Sequence, residues 1–141
     1  MGYEFSGTYE HQIDAKRRIR IPAKLKNVLG GGYSITIGSD SCLWIIPSET
    51  AHALHKQLEE LDTSDMRSRA TKRRVLEFMY TPEEDPQGRV VLPGKLMKYA
   101  KIEKDVLFIG QGNYIELWAA ERYEEYMDSY DDIDIGQYIK L

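Results

Sequence analysis

A chain of 141 residues, 42% hydrophobic and 30% charged, can bury one modest core and lacks the composition of a disordered protein. No apolar run nears the roughly eighteen residues of a membrane span, and the N-terminus lacks the basic and apolar regions of a secretory signal, so no membrane role is expected. The net charge of −4 argues against a uniformly basic nucleic-acid binder, and the single Cys42 excludes an intrachain disulfide and reads as a small buried hydrophobe in a reducing cytosol.

Tyr3 to Ile13 has the irregular apolar spacing of a strand. Asp14 to Arg17 turns the chain and Arg18 to Ile21 returns, so a hairpin is expected. Pro22 suits the first turn of a short helix through Leu29, which Gly30-Gly31-Gly32 ends. Strands follow over Tyr33 to Gly38 and Cys42 to Ile46, joined by Ser39-Asp40-Ser41. Ser48 is the expected cap of a helix striped by Ala51, Leu54, Leu58 and Leu61, and Ser64 of a basic helix from Asp65 to about Leu76. His52 and His55 sit three apart with no acidic or Cys partners, so they read as solvated helix residues rather than metal ligands.

The plan then repeats. Glu77 to Glu84 is expected to be a strand, with Pro82 placing its far end at an edge or bulge. The turn Asp85-Pro86-Gln87-Gly88, a return strand Arg89 to Leu92 and a short helix Pro93 to Ala100 follow. Strands at Val106 to Ile109 and Tyr114 to Trp118 lead to a last helix, Ala119 to Tyr130.

Residues 14–25 and 85–96 share Asp, Arg, two aliphatics, Pro, Lys and Leu at an offset of 71 positions, so D-x-x-x-R-[IV]-x-[IL]-P-x-K-L occurs twice. A period of this length suits two half-domains sharing one core, with pseudo-two-fold symmetry. The expected divisions are a first half over 5–62, a basic connecting helix over 63–76, a second half over 77–130 and an acidic tail over 131–141.

Charge is unevenly spread. Residues 14–26 hold six bases against one acid and residues 65–74 five against one, whereas 121–134 hold seven acids against Arg122. Asp14 and Asp85 read first as structural turn residues with Gly88, each placed to pair with the Arg four positions on, Arg18 and Arg89. Basic runs are usually solvated faces. This one coincides with a repeated turn, and a two-fold pair of turns can present donors to a DNA groove at matched spacing.

The two signatures, the Gly110-Gln111-Gly112-Asn113 stretch with Tyr114-Ile115-Glu116-Leu117-Trp118, and the start Gly7-Thr8-Tyr9-Glu10-His11 together resemble the MraZ family over about Phe5 to Met127. The resemblance implies a β-rich α+β fold: two pseudo-symmetric AbrB-like swapped-hairpin halves forming one double-split β-barrel with short flanking helices. It also implies a bacterial transcriptional regulator of the division and cell-wall gene cluster, nucleoid-associated in the cytoplasm, that binds direct repeats in double-stranded DNA as a ring-shaped homo-oligomer. The family's first signature usually has Gly just before its Arg, where this chain has Arg17; if that position needs positive φ, Arg17 costs about 1 kcal/mol, and it is expected to add a phosphate contact. The candidate DNA-binding residues are Lys16, Arg17, Arg18, Arg20 and Lys24 from the first half and Gln87, Arg89 and Lys95 from the second. The alternative is a protein-binding module of antitoxin type that neutralises a partner. No nucleophile, metal-ligand cluster or phosphate-cradling motif accompanies these residues, so no catalytic residue, metal, cofactor or small-molecule substrate is expected.

Overall fold

The computed structural model describes residues 2–141. In chain order its elements are β1 (Thr8–Gln12), β2 (Arg18–Arg20), α1 (Ala23–Leu29), β3 (Tyr33–Ile37), β4 (Leu43–Pro47), α2 (Ser48–Glu59), α3 (Met66–Phe78), β5 (Arg89–Val91), α4 (Gly94–Ala100), β6 (Asp105–Gly110), β7 (Ile115–Ala119) and α5 (Ala120–Asp128). One antiparallel sheet has the order β1-β6-β7-β4-β3, and β2 pairs with β5 in a separate ribbon. The molecule is therefore mixed α+β, and no closed barrel forms among the described residues.

The halves exchange partners. β1, from the first half, pairs with β6 of the second, from Thr8↔Ile109 to Gln12↔Asp105. Tyr80, from the second half, exchanges backbone hydrogen bonds of 2.9 and 3.0 Å with Ile35 on β3. In the ribbon Ile19 faces Val90, its own equivalent at the 71-residue offset, so the pseudo-two-fold passes between them. The symmetry legible in the repeat is thus built from contacts between halves.

Side-chain alternation divides the large sheet into two faces. Ile35, Leu43, Ile45, Val106, Phe108, Ile115 and Leu117 point to the main core, which also takes Ile19 and Val90 of the ribbon, Leu25 and Leu29 of α1, and Leu96 and Ala100 of α4. On the other face Leu107, Ile109 and Trp118 form a smaller cluster with Cys42, covered by Tyr123 and Tyr126 of α5. The basic ribbon and the acidic last helix consequently lie on opposite sides of the sheet. Thr36, the one buried polar side chain among the described residues, donates its hydroxyl to Val75 O of α3 at 2.8 Å.

Several local expectations are corrected. The turn at Asp14 forms, but its arms do not make a hairpin: β1 joins the large sheet while β2 joins β5, because each arm buries its apolar face against the other half. Glu77 to Glu84 is not a strand; Val75, Leu76 and Phe78 continue the period of α3, and only Tyr80 bridges to the sheet. Asp65, not Ser64, caps α3, its carboxylate accepting from Ser68 N at 3.1 Å. Ser48 makes no cap and instead donates its hydroxyl to Gly32 O at 2.9 Å. Pro22 and Pro93 stand just before α1 and α4 rather than in their first turns.

Candidate nucleic-acid interface

Each signature builds the same turn. Asp14 Oδ1 accepts the backbone N–H groups of Lys16 and Arg18 at 2.9 and 2.8 Å, and Asp85 Oδ1 those of Gln87 and Arg89, both at 2.9 Å. The Arg17 N–H closes onto Asp14 O, and the Gly88 N–H onto Asp85 O, each at 2.9 Å. The closing residue is left-handed in both, with φ +62° at Arg17 and +78° at Gly88, the arrangement of a type I turn followed by a bulge. Asp suits this place because its short carboxylate reaches these N–H groups from the turn's first position.

The second carboxylate oxygen of each Asp receives the arginine. Arg18 Nε donates to Asp14 Oδ2 at 2.6 Å and Arg89 Nε to Asp85 Oδ2 at 2.8 Å. The expected pairing therefore forms, and it engages Nε while the η-nitrogens take no hydrogen bond among the described residues. A guanidinium held by its inner nitrogen is oriented, with its outer fork still available to a bidentate acceptor.

The ribbon brings the two turns together. In the register Arg18↔Val91, Ile19↔Val90 and Arg20↔Arg89, alternation sends Ile19 and Val90 into the core and Arg18, Arg20, Arg89 and Val91 outward. Arg20 and Arg89 are direct cross-strand neighbours, and Arg18 lies diagonally from Arg89 at about 7–8 Å. Arg20 is exposed and makes no ion pair among the described residues. Like charges facing across a ribbon are destabilising, and an anion bound over them would relieve that cost. Because the strands are antiparallel, the turn tips with exposed Lys16, Arg17 and Gln87 stand at opposite ends.

The remaining candidates divide. Lys24 is exposed on α1. Lys95 is exposed on α4, its ammonium donating to Glu77 O at 2.9 Å and lying 5.1 Å from the Phe78 ring centre, so it also ties down the C-terminal end of α3. Two neighbours escaped the sequence reading. Tyr80, partly buried against the main core, donates its hydroxyl to Val91 O at 2.9 Å and steadies the ribbon, and His11 on β1 feels the charge of Arg20. The signal for His11 was its place in the Gly7–His11 motif. Tyr80 had none.

These contacts make the interface sensitive to acid. The Arg18 and Arg89 backbone N–H bonds, helped by the guanidinium bonds, hold the Asp14 and Asp85 carboxyls below the usual carboxylate range. Burial, with Arg20 adding to it, holds His11 below the usual histidine value. Lowered carboxyls stabilise the fold above the unfolded-state pKa and lose that stabilisation as pH falls through the folded value; a lowered histidine penalises the fold as pH falls below about 6.5. Both act in one direction. Stability is expected to fall in two stages on acidification, near pH 6 and again below pH 4; urea unfolding should show the first stage missing in His11→Gln and the second reduced in Asp14→Asn/Asp85→Asn.

Arg17 supplies a separate test. Its backbone O accepts from Leu92 N at 2.7 Å, and its Nη1 lies 2.9 Å from where a Cβ on Gly94 would stand. Arg17→Gly should unfold at equal or higher urea, because left-handed strain of about 1 kcal/mol is removed. If Arg17 contacts a phosphate, the same variant binds DNA more weakly with a salt slope shallower by about one unit. Unchanged affinity and slope would exclude that contact.

The MraZ family, whose sequence model carries the description "MraZ protein, putative antitoxin-like", matches residues 5–74 and 79–135. The chain is 42% identical to a "Transcriptional regulator MraZ" from Symbiobacterium thermophilum, over 86% of this chain and 88% of the relative. It is 39% identical to one of the same name from Clostridium tetani, over 92% of each, and 41% identical to one from Thermoanaerobacter pseudethanolicus, over 89% of this chain and 87% of that protein.

Proposed function

The chain belongs to the MraZ family, and we propose that it is a DNA-binding transcriptional regulator that inserts the β2–β5 ribbon into the major groove. The observation that carries this reading is the outward row of Arg18, Arg20 and Arg89 across a two-stranded ribbon centred on the pseudo-two-fold. A major groove about 12 Å wide admits such a ribbon. Arg18 and Arg89, oriented by their Asp partners, present free guanidinium forks suited to guanine O6 and N7. Arg20, Arg17, Lys16 and Lys24 neutralise phosphate, and Gln87 at the second tip is placed for a base edge or a phosphate.

Three residues per strand span roughly 7–10 Å, or two to three base pairs at about 3.4 Å each. One subunit therefore reads too little sequence to find a promoter. Assembly into a ring-shaped homo-oligomer that sets several ribbons on direct repeats converts this weak recognition into avidity. The exchange of β1 and Tyr80 between halves supports the swapped-hairpin arrangement, with ribbon and sheet as the two parts of a split barrel. The regulated promoter is that of the bacterial division and cell-wall cluster, and the protein works on the nucleoid in the cytoplasm without catalysing a reaction.

Nuclease footprinting on the DNA upstream of the protein's own gene tests the reading. Protection at regularly spaced repeats is the expected result. Uniform or absent protection at concentrations that coat DNA would favour the alternative, an antitoxin-type protein-binding module.

A further inference from the structure

α3 is anomalous. It runs for 13 residues from Met66 to Phe78, yet none of them is buried. Val75, Leu76 and Phe78 seat its C-terminal half against β3 and the Tyr99 ring, but the face carrying Met66, Ala70 and Arg73 stays in solvent, and a helix of this length owes its stability to its packed face. Asp65, the Thr36 hydroxyl on Val75 O, Lys95 on Glu77 O, and a Lys72–Glu59 ion pair of 2.9 Å add to that hold. Its outward stripe follows helical spacing: Met66, Ala70 and Arg73 at i, i+4 and i+7, flanked by Arg67 and Arg74. Met66 is 74% exposed. The three arginines make no ion pair or side-chain hydrogen bond among the described residues, and Glu77 is the only acid on the stripe.

The opposite deficit lies past α5. Residues 131–141 carry Asp131, Asp132 and Asp134 around apolar side chains left in water, with Ile135 66% and Tyr138 78% exposed, and Ile133 and Ile139 half or more. A short 3-10 turn, Ile135–Gln137, is their only regular structure. Eleven residues reach about 36 Å when extended, more than the roughly 20 Å of α3.

We propose that the acidic, apolar C-terminal segment of one copy docks along the exposed stripe of α3 on a second copy, Asp131, Asp132 and Asp134 meeting Arg67, Arg73 and Arg74, and that this contact links subunits in the assembly. The inference rests on the homo-oligomer put forward above and names its contacting surfaces. The contact is head-to-tail, since donor and acceptor surfaces differ, so it propagates around a ring rather than closing a dimer.

Charge exchange tests it. Variant one is Arg67→Glu/Arg73→Glu/Arg74→Glu, variant two is Asp131→Lys/Asp132→Lys/Asp134→Lys, and a third ends at Tyr130; circular dichroism establishes that each is folded. Sedimentation velocity of wild type is expected to show an oligomer. Each variant alone should lose at least tenfold in assembly affinity, and an equimolar mixture of the first two should restore the wild-type sedimentation coefficient. Variants that assemble like wild type overturn the docking while leaving the oligomer intact. A mixture that stays dissociated also overturns it, including the case in which each tail covers its own α3. A monomeric wild type overturns both readings together.

Discussion

Arg18→Ala/Arg89→Ala is expected to abolish preference for the native operator while leaving the fold nearly intact. Each Asp keeps its two backbone N–H bonds when the guanidinium is removed, and the lost ion pairs are partly exposed, so stability should change by no more than about 1 kcal/mol. A bidentate arginine contact to guanine is worth about 1–3 kcal/mol, so losing two should weaken specific binding by about 2–6 kcal/mol, thirtyfold or more. Binding to a scrambled duplex should weaken much less, because phosphate contacts from Lys16, Arg17, Arg20 and Lys24 persist. Lys16→Ala is the contrasting control, weakening binding to both duplexes alike. Competition mobility shifts measure the two ratios; equal loss on both duplexes would place Arg18 and Arg89 on phosphates instead.

Phe108→Ala is expected to cost about 3–5 kcal/mol, a large share of the 5–15 kcal/mol typical of a domain. Phe108 is fully buried at the middle of β6, opposite Tyr9 of β1 and Leu117 of β7, with its ring 5.5 Å from the His11 ring in an edge-on contact. Truncation leaves a cavity where the first half's strand crosses onto the second half's sheet. Because the ribbon shares this core through Ile19 and Val90, the two halves should unfold in one transition. Thermal unfolding followed by circular dichroism and tryptophan fluorescence should lose about 10 °C in a single coincident step. Separated transitions would mean that the halves have independent cores.

The repeat made the pseudo-symmetry legible, because two turns with the same Asp, Arg and Pro must form for the same local reasons. The Asp14 and Asp85 turns, the pairing to Arg18 and Arg89, and the positive φ at Arg17 were all within reach of a few residues' chemistry. Which strand each arm joins was not. Pairing of β1 with β6 spans nearly a hundred residues, and a period of two states only that an arm is half-buried, never against what. The missing strand after residue 77 is a contest between two local patterns, won by the helix because Val75, Leu76 and Phe78 reach the edge of β3 and the Tyr99 ring. Lys95 shows the limit for sites: its position repeats that of Lys24, yet its bond to Glu77 O at the C-terminal end of α3 has no counterpart in the first half and could not be read from the signature.

The measurement that bears most directly on the ribbon as a sequence-reading element is fluorescence anisotropy of the wild-type protein on the duplex upstream of its own gene and on a scrambled duplex, at two salt concentrations. Tighter binding to the native duplex at both salts, with affinity for each falling steeply as salt rises, is the expected result. Equal and weak binding to both duplexes would contradict the account and leave the arginine row a solvated face.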